Sequence, residues 1–284
     1  MGKDIHWYPG HMKKAEIQVS EKLKIVDCVI ELLDSRIPFS SRNNSLYNLT
    51  KDKKRLVVLT KADLADPKIS ELWVSFFKEM GFDCIFADLN NPNDIKNIIH
   101  KATLLGKDKA QKYIDKGMKP QPIRAMIIGI PNVGKSTLIN KISKRKAASV
   151  MNKPGHTKSQ QWIKVNNDFE LLDTPGILQS SYEDENKAIN LALVGSINEN
   201  ILPNDDLANY LLNYLKDNYP NLLMQRYDLN DLSDNNLILK GIAKRRGFLK
   251  ANNEDTDKAI TLLLNEFKNG LIGRVSLEKE VKCL

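Results

Sequence analysis

Eight residues, Gly129-Ile130-Pro131-Asn132-Val133-Gly134-Lys135-Ser136, constrain the fold of this chain more than any other feature. They follow an apolar run at 124–128 and lead into a helical pattern at 136–142, so the local order is strand, glycine-rich loop, helix. The glycines allow a tight turn whose backbone N–H groups point inward, and the helix that follows adds its dipole and its free N–H groups. The group so cradled is a phosphate. Lys135 reaches its outer oxygens, and the Ser136 hydroxyl, with Thr137 beside it, stands where Mg²⁺ is held.

The first two-thirds of the chain alternates. Short apolar runs at 25–33, 55–59, 84–87 and 125–129 suit buried strands, while 12–23, 69–80 and 95–105 repeat apolar residues every three or four positions, as helices on a sheet do. Asp66-Pro67 and Asn91-Pro92 each put a capping residue before a proline, a sound helix start. The alternation predicts a parallel sheet covered on both faces. Two further strands, 161–165 and 169–172, flank the hairpin turn Asn166-Asn167-Asp168. Beyond Gly176 the pattern is helical, at 186–197, 205–216, 237–246 and 255–268, with no convincing strand. The expected division is an α/β domain over 1–180 and a small all-α domain over 181–284, its last dozen residues loosely held.

Asp173-Thr174-Pro175-Gly176 begins 38 residues after Lys135, at the end of the run 169–172. A bare D-x-x-G is common, but at this place Asp173 would hold Mg²⁺ through water and the Gly176 N–H would meet a terminal phosphate. Thr157, in the polar loop Lys153-Pro154-Gly155-His156-Thr157, is the candidate second hydroxyl on the metal. The element that reads the base is missing downstream and stands upstream: Thr60-Lys61-Ala62-Asp63, directly after 55–59. A carboxylate at Asp63 can accept both the N1–H and the N2 amino protons of guanine, which adenine does not offer, and such paired bonds discriminate by about 1–3 kcal/mol. Lys61 lays its stem along the base plane, and Asp88-Leu89-Asn90 takes the place of a second base-contacting loop. The order base loop, second base loop, phosphate loop, first switch, second switch is that of a circularly permuted Ras-like P-loop G domain on a mostly parallel six-stranded sheet. Each loop still leaves the carboxyl end of its strand, so the ligand crevice survives. GTP and GDP are the expected ligands, with Mg²⁺ as cofactor.

Together with Trp7-Tyr8-Pro9-Gly10-His11-Met12, Asp34-Ser35-Arg36-Ile37-Pro38 and Ser159-Gln160-Gln161-Trp162, the chain from Ile5 to Gly273 resembles the circularly permuted YlqF/YawG family of GTPases. The resemblance implies a GTPase that docks on the immature large ribosomal subunit and leaves after hydrolysis, with a carboxyl-terminal bundle similar to ANTAR-type RNA-binding domains. Two residues depart from the family: Thr60 stands where Asn is usual, and His156 where the first switch commonly has an aliphatic residue. The glutamine with which Ras-like enzymes orient water is replaced by Ile177, which can neither align a water nor take a proton. In the family the amino-terminal histidine reaches the γ-phosphate. Carried over, that residue is His11, and His11, Lys135 and Gly176 are the candidate catalytic residues; a histidine that only anchors the arm competes with this, and His156 lies near the same phosphate. Asn132 matches the asparagine that holds K⁺ in related potassium-stimulated GTPases, although the geometry of the turn explains an asparagine nearly as well.

Charge points to a partner. Residues 1–180 hold 30 Lys and Arg against 19 Asp and Glu, whereas 181–284 hold 13 against 16. A basic body suits a polyanion, since Lys and Arg displace counterions condensed on phosphates. Lys244-Arg245-Arg246 stands out on the acidic part and is the foremost candidate RNA contact, ahead of Lys13-Lys14, 51–55 and Lys144-Arg145-Lys146. No run of eighteen apolar residues occurs, and Cys28, Cys84 and Cys283 form no close pair, so neither a membrane span nor a zinc knuckle or disulfide framework is expected. Met1 to His11 lacks the pattern of a signal peptide, and a monomer in reducing cytoplasm is expected. A GTP hydrolase unconnected with ribosomes and a non-catalytic RNA-binding module are the rival readings; sedimentation with large subunits tests the first and a turnover assay the second.

Overall fold

Seven consecutive residues, Cys28-Val29-Ile30-Glu31-Leu32-Leu33-Asp34, are all buried, which requires a strand paired on both edges and covered on both faces. The computed structural model, which describes residues 5–6, 10–119, 121–143, 162–178, 181–182, 184–197, 202–250 and 253–279, places them at the middle of a sheet. In chain order come β1 (Ile5–His6), α1 (Gly10–Lys22), β2 (Cys28–Asp34), α2 (Asn44–Thr50), β3 (Lys54–Thr60), α3 (Pro67–Glu79), β4 (Asp83–Phe86), α4 (Pro92–Leu105), α5 (Lys107–Asp115), β5 (Ile123–Ile128) and α6 (Lys135–Ser143). They are followed by β6 (Trp162–Lys164), β7 (Phe169–Leu172), β8 (Ser181–Tyr182), α7 (Glu185–Leu193), α8 (Asn204–Asn218), α9 (Pro220–Tyr227), α10 (Asn235–Arg246), β9 (Leu249–Lys250), β10 (Asn253–Glu254) and α11 (Thr256–Lys268).

The main sheet has six strands in the order β4-β3-β2-β5-β7-β6, parallel except for β6, which runs antiparallel to β7. The caps expected at α3 and α4 are present: Asp66 accepts from the Lys68 N–H and Asn91 from the Asn93 N–H, each ahead of its proline. One face of the sheet carries Trp73 and Phe77 of α3 over Leu33, Val57 and Leu59, with Val19 of α1 and Leu46 of α2 beside Val29 and Met126. On the other face Ile98 of α4 and Leu138 of α6 join Ile30, Val58 and Ile127 in one contiguous apolar cluster that also takes in Leu191, Leu211, Ile242 and Leu263 of α7, α8, α10 and α11.

Three expectations are corrected. Short strands do follow Gly176: β8 pairs antiparallel with β1, and β9 with β10. Two-residue strands carry no periodicity to read. Helices α2, α5 and α9 were not anticipated; each is short, and α5 buries none of its residues. The final segment is not loose up to residue 279. Glu278 accepts from the N–H groups of Phe39 and Ser40, and the Trp73 indole donates to the Glu278 carbonyl. Its bonds use backbone groups and isolated polar side chains, which leave no pattern in sequence.

Candidate functional site

Four loops leave the carboxyl ends of β3, β4, β5 and β7 and meet at one edge of the sheet. Between β5 and α6 the phosphate loop turns at Gly129, where φ is +152° and a Cβ would come within 2.7 Å of the Leu32 carbonyl oxygen. Pro131 and Val133 are buried in the turn. The Lys135 ammonium is buried and donates to the carbonyls of Gly129 (3.0 Å) and Ile130 (2.7 Å). Gly176 of the second switch lies against it: a Cβ there would meet the Pro131 backbone at 2.8 Å and the Lys135 Nζ at 3.0 Å. Thr174 fixes the loop from below by donating its hydroxyl to the Ile127 carbonyl.

Lys135 and Asp173 are a buried charge pair. Burial lowers the Lys135 pKa to about 8 against the pull of Asp173, and burial raises Asp173 to about 6 against the pull of Lys135. A raised carboxyl favours the fold only at low pH, and that contribution is gone above about 6; a lowered ammonium favours it only at high pH, and that contribution is gone below about 8. Between the two both groups are charged, and both carry their desolvation cost. The Asp173 Oδ1 atom is buried with no hydrogen-bond partner, an arrangement that fits a cation. Among the described residues no group of three or more His, Cys, Asp or Glu gathers to hold a metal. Among the described residues, Asp173 and the Ser136 hydroxyl are the groups that would hold a Mg²⁺ beside phosphate oxygens, a mixture that suits this ion. Thr157 and His156 lie outside the described residues, as do Lys144-Arg145-Lys146 and the side chains of His11 and Lys14.

The base end is a cleft of about 330 Å³ lined by Lys61, Asp63, Asp88, Asn90, Asn132 and Thr137, with Leu89 and Gly134 at its back. Thr60 is fully buried, and its hydroxyl lies within bonding distance of the carbonyls of Leu33 (3.0 Å) and Val133 (2.7 Å), so it ties the base loop to the phosphate loop. Lys61 takes a left-handed backbone (φ +56°), and its ammonium pairs with Asp34 at 2.9 Å. Asp34 also binds the Arg36 guanidinium through both carboxylate oxygens, at 3.0 and 2.9 Å. Burial would raise this carboxyl, but the two cations hold it well below the usual carboxylate range. Asp34-Ser35-Arg36-Ile37-Pro38 carries part of the family resemblance, but sequence assigned its residues no role; Asp34 and Arg36 prove to stand against Lys61 of the base loop. Ala62 is buried behind Asp63.

The cleft is closed from the far side by Val194, Gly195, Lys268 and Asn269. Asn132, at φ +59°, donates its amide to the Gly195 carbonyl at 2.7 Å, so its side chain is engaged there. Lys244, Arg245 and Arg246 end α10. Arg245 pairs with Asp228 on the surface, whereas Arg246 and Arg226 share the buried Glu266, at 2.9 and 2.7 Å. Arg246 is thus fixed within the fold.

A phosphate loop facing a carboxylate base reader, with the motifs in rotated order, defines the class: a circularly permuted P-loop G domain. Residues 124–239 match the family of 50S ribosome-binding GTPases. The chain is 44% identical to the ribosome biogenesis GTPase A of Bacillus cereus over 276 residues, 96% of this chain and 93% of that one, and 32% identical to the Thermotoga maritima protein of the same name over 96% and 94%. The crystal structure of GNP-bound YlqF from T. maritima superposes with a TM-score of 0.64 at 27% identity, covering 93% of this chain and 97% of that one. The chain belongs to the ribosome biogenesis GTPase A family and is a GTPase.

The electrostatics of Asp63 predict a pH dependence. Burial, then the neighbouring Asp88 carboxylate, raise its pKa, while Arg36 and Arg274 oppose the rise and Lys61 stands in the same loop. A raised carboxyl takes up its proton at higher pH than an ordinary aspartate, and the neutral acid can no longer accept two guanine protons. The preference for GTP over inosine triphosphate, which lacks the N2 amino group, is expected to be about tenfold at neutral pH and to shrink on acidification. Asp88→Asn should move that loss to lower pH. Nucleotide titrations across the acidic range check this, and an unmoved midpoint in Asp88→Asn contradicts it.

Proposed function

We propose that this GTPase of ribosome assembly binds an immature large subunit in its GTP form, hydrolyses GTP there with Mg²⁺ at Ser136, Thr157 and Asp173, and leaves in its GDP form. Full-length likeness to proteins named for ribosome biogenesis supports the setting. The observation that carries the reading is the path out of the second switch. The chain runs from Asp173–Gly176 through the buried Ile177 to β8, which pairs with β1, and then into α7. A γ-phosphate that orders the switch thereby bears on both the amino-terminal arm and the helical part.

Ile177 is packed in the core and supplies no chemistry, so water must be oriented from elsewhere. His11, a few residues beyond the β1 pairing, is the residue proposed for this, with Lys135 and the Gly176 N–H stabilising the phosphate charge. Asn132 spends its amide N–H on the Gly195 carbonyl, which leaves the Oδ1 atom as the acceptor that a K⁺ would take. Lys244 and Arg245 are the proposed RNA contacts, and a monomer in the cytoplasm is the proposed setting. Among the described residues no helix is long and apolar enough to cross a membrane.

The test is GTP turnover with and without large subunits. Docking that orients the arm is expected to raise turnover by about 100-fold, well inside what orientation can supply. Equal rates would reject the reading. Replacing Lys244 and Arg245 with Ala should weaken co-sedimentation with subunits and leave GTP affinity of the free chain as it was.

A further inference from the structure

The backbone groups that the base loop turns outward are met by three consecutive residues from far along the chain. The Arg274 guanidinium donates to the carbonyls of Ala62 (2.6 Å) and Ala65 (2.9 Å), one on each side of Asp63. The Val275 N–H donates to the Leu64 carbonyl at 3.0 Å, and the Asp66 N–H to the Ser276 hydroxyl at 3.1 Å. The segment is held at both ends. Before it, Gly270 touches Leu64 so closely that a Cβ would fall 2.6 Å from its Cδ2; after it, the Leu277 N–H donates to the Arg36 carbonyl and Glu278 caps the 39–40 turn.

We infer that residues 274–276 belong to the guanine-reading apparatus, with Arg274 a positioning residue that aims the Asp63 carboxylate through the backbone on both sides of it. This rests on Asp63 being the guanine reader. A planar fork that bonds two carbonyls fixes the distance between them, whereas a lysine ammonium on its flexible stem holds them at no set spacing. The carboxylate must set two oxygens against two N–H groups at once, so a loosened loop loses discrimination before it loses its fold. The phosphate loop has a tie of its own, from the Asn132 amide to the Gly195 carbonyl, so the base end should suffer first.

Full-length Arg274→Ala and Arg274→Lys are compared with the parent chain for affinity to GTP, GDP and inosine triphosphate, and for thermal melting. Arg274→Ala is expected to weaken GTP and GDP alike by about tenfold and to bring GTP and inosine triphosphate within about twofold of each other, with Arg274→Lys in between. If the parent chain does not prefer GTP over inosine triphosphate, the base-loop reading itself fails. If it does, and an Arg274→Ala protein that melts like the parent keeps the preference, the positioning role is overturned. Should Arg274→Ala melt early, Arg274→Lys decides: an unchanged preference in that variant overturns the role, and a reduced one upholds it.

Discussion

Lys135→Ala lowers GTP affinity by about a hundredfold. The ammonium is the one buried cation facing Asp173 in the phosphate loop, and it already gives two hydrogen bonds to loop carbonyls that it can exchange for phosphate oxygens. Bonds between charged partners are worth about 1.5–3 kcal/mol each, and here two phosphate groups lose theirs together. Calorimetric or fluorescent-nucleotide titration reads the effect, and circular dichroism confirms that the variant is folded. An unchanged affinity would remove the phosphate loop from its assigned role.

Asp63→Asn lowers GTP affinity by a similar factor and improves that for xanthosine triphosphate. An asparagine amide offers one acceptor and one donor, where the carboxylate offers two acceptors. Xanthine carries N1–H and a carbonyl at C2, so it matches the amide and repels the carboxylate. Competition between the two triphosphates measures the exchange. The parent chain should prefer GTP and the variant xanthosine triphosphate; equal losses for both would mean that Asp63 supports the loop without touching the base.

Both variants fall in motifs legible in the sequence alone, and the reason is physical. A loop that cradles phosphate needs glycine at set places, and a strand buried on both faces needs an unbroken apolar run, so Gly129 to Ser136 and the strands β2, β3 and β5 mark themselves. Helix α3 does so through Trp73 and Phe77, which fall on one face. Helix α5 spans nine residues, too short a run for its period to stand out, and buries none of them. The closing wall of the cleft and the brace behind the base loop were equally hidden, because Gly195, Lys268 and Arg274 act through a carbonyl, an alkyl stem and a fork onto backbone, and none of these has a periodic signature. Lys244-Arg245-Arg246 reads as one exposed patch, and sequence gives no sign that Arg246 also pairs with the buried Glu266.

The bond between Arg274 and Ala62 joins residues 212 positions apart, and it has a bearing on synthesis. A ribosome makes the base loop early and its brace late. A nascent chain that has emerged through α6 holds both the base loop and the phosphate loop, but the outer carbonyls of the base loop wait for a segment still to be translated. Contacts so distant in sequence carry a large loop-closure cost and form slowly. Translation order therefore makes guanine selectivity a late acquisition, completed only once residues 274–278 have left the exit tunnel.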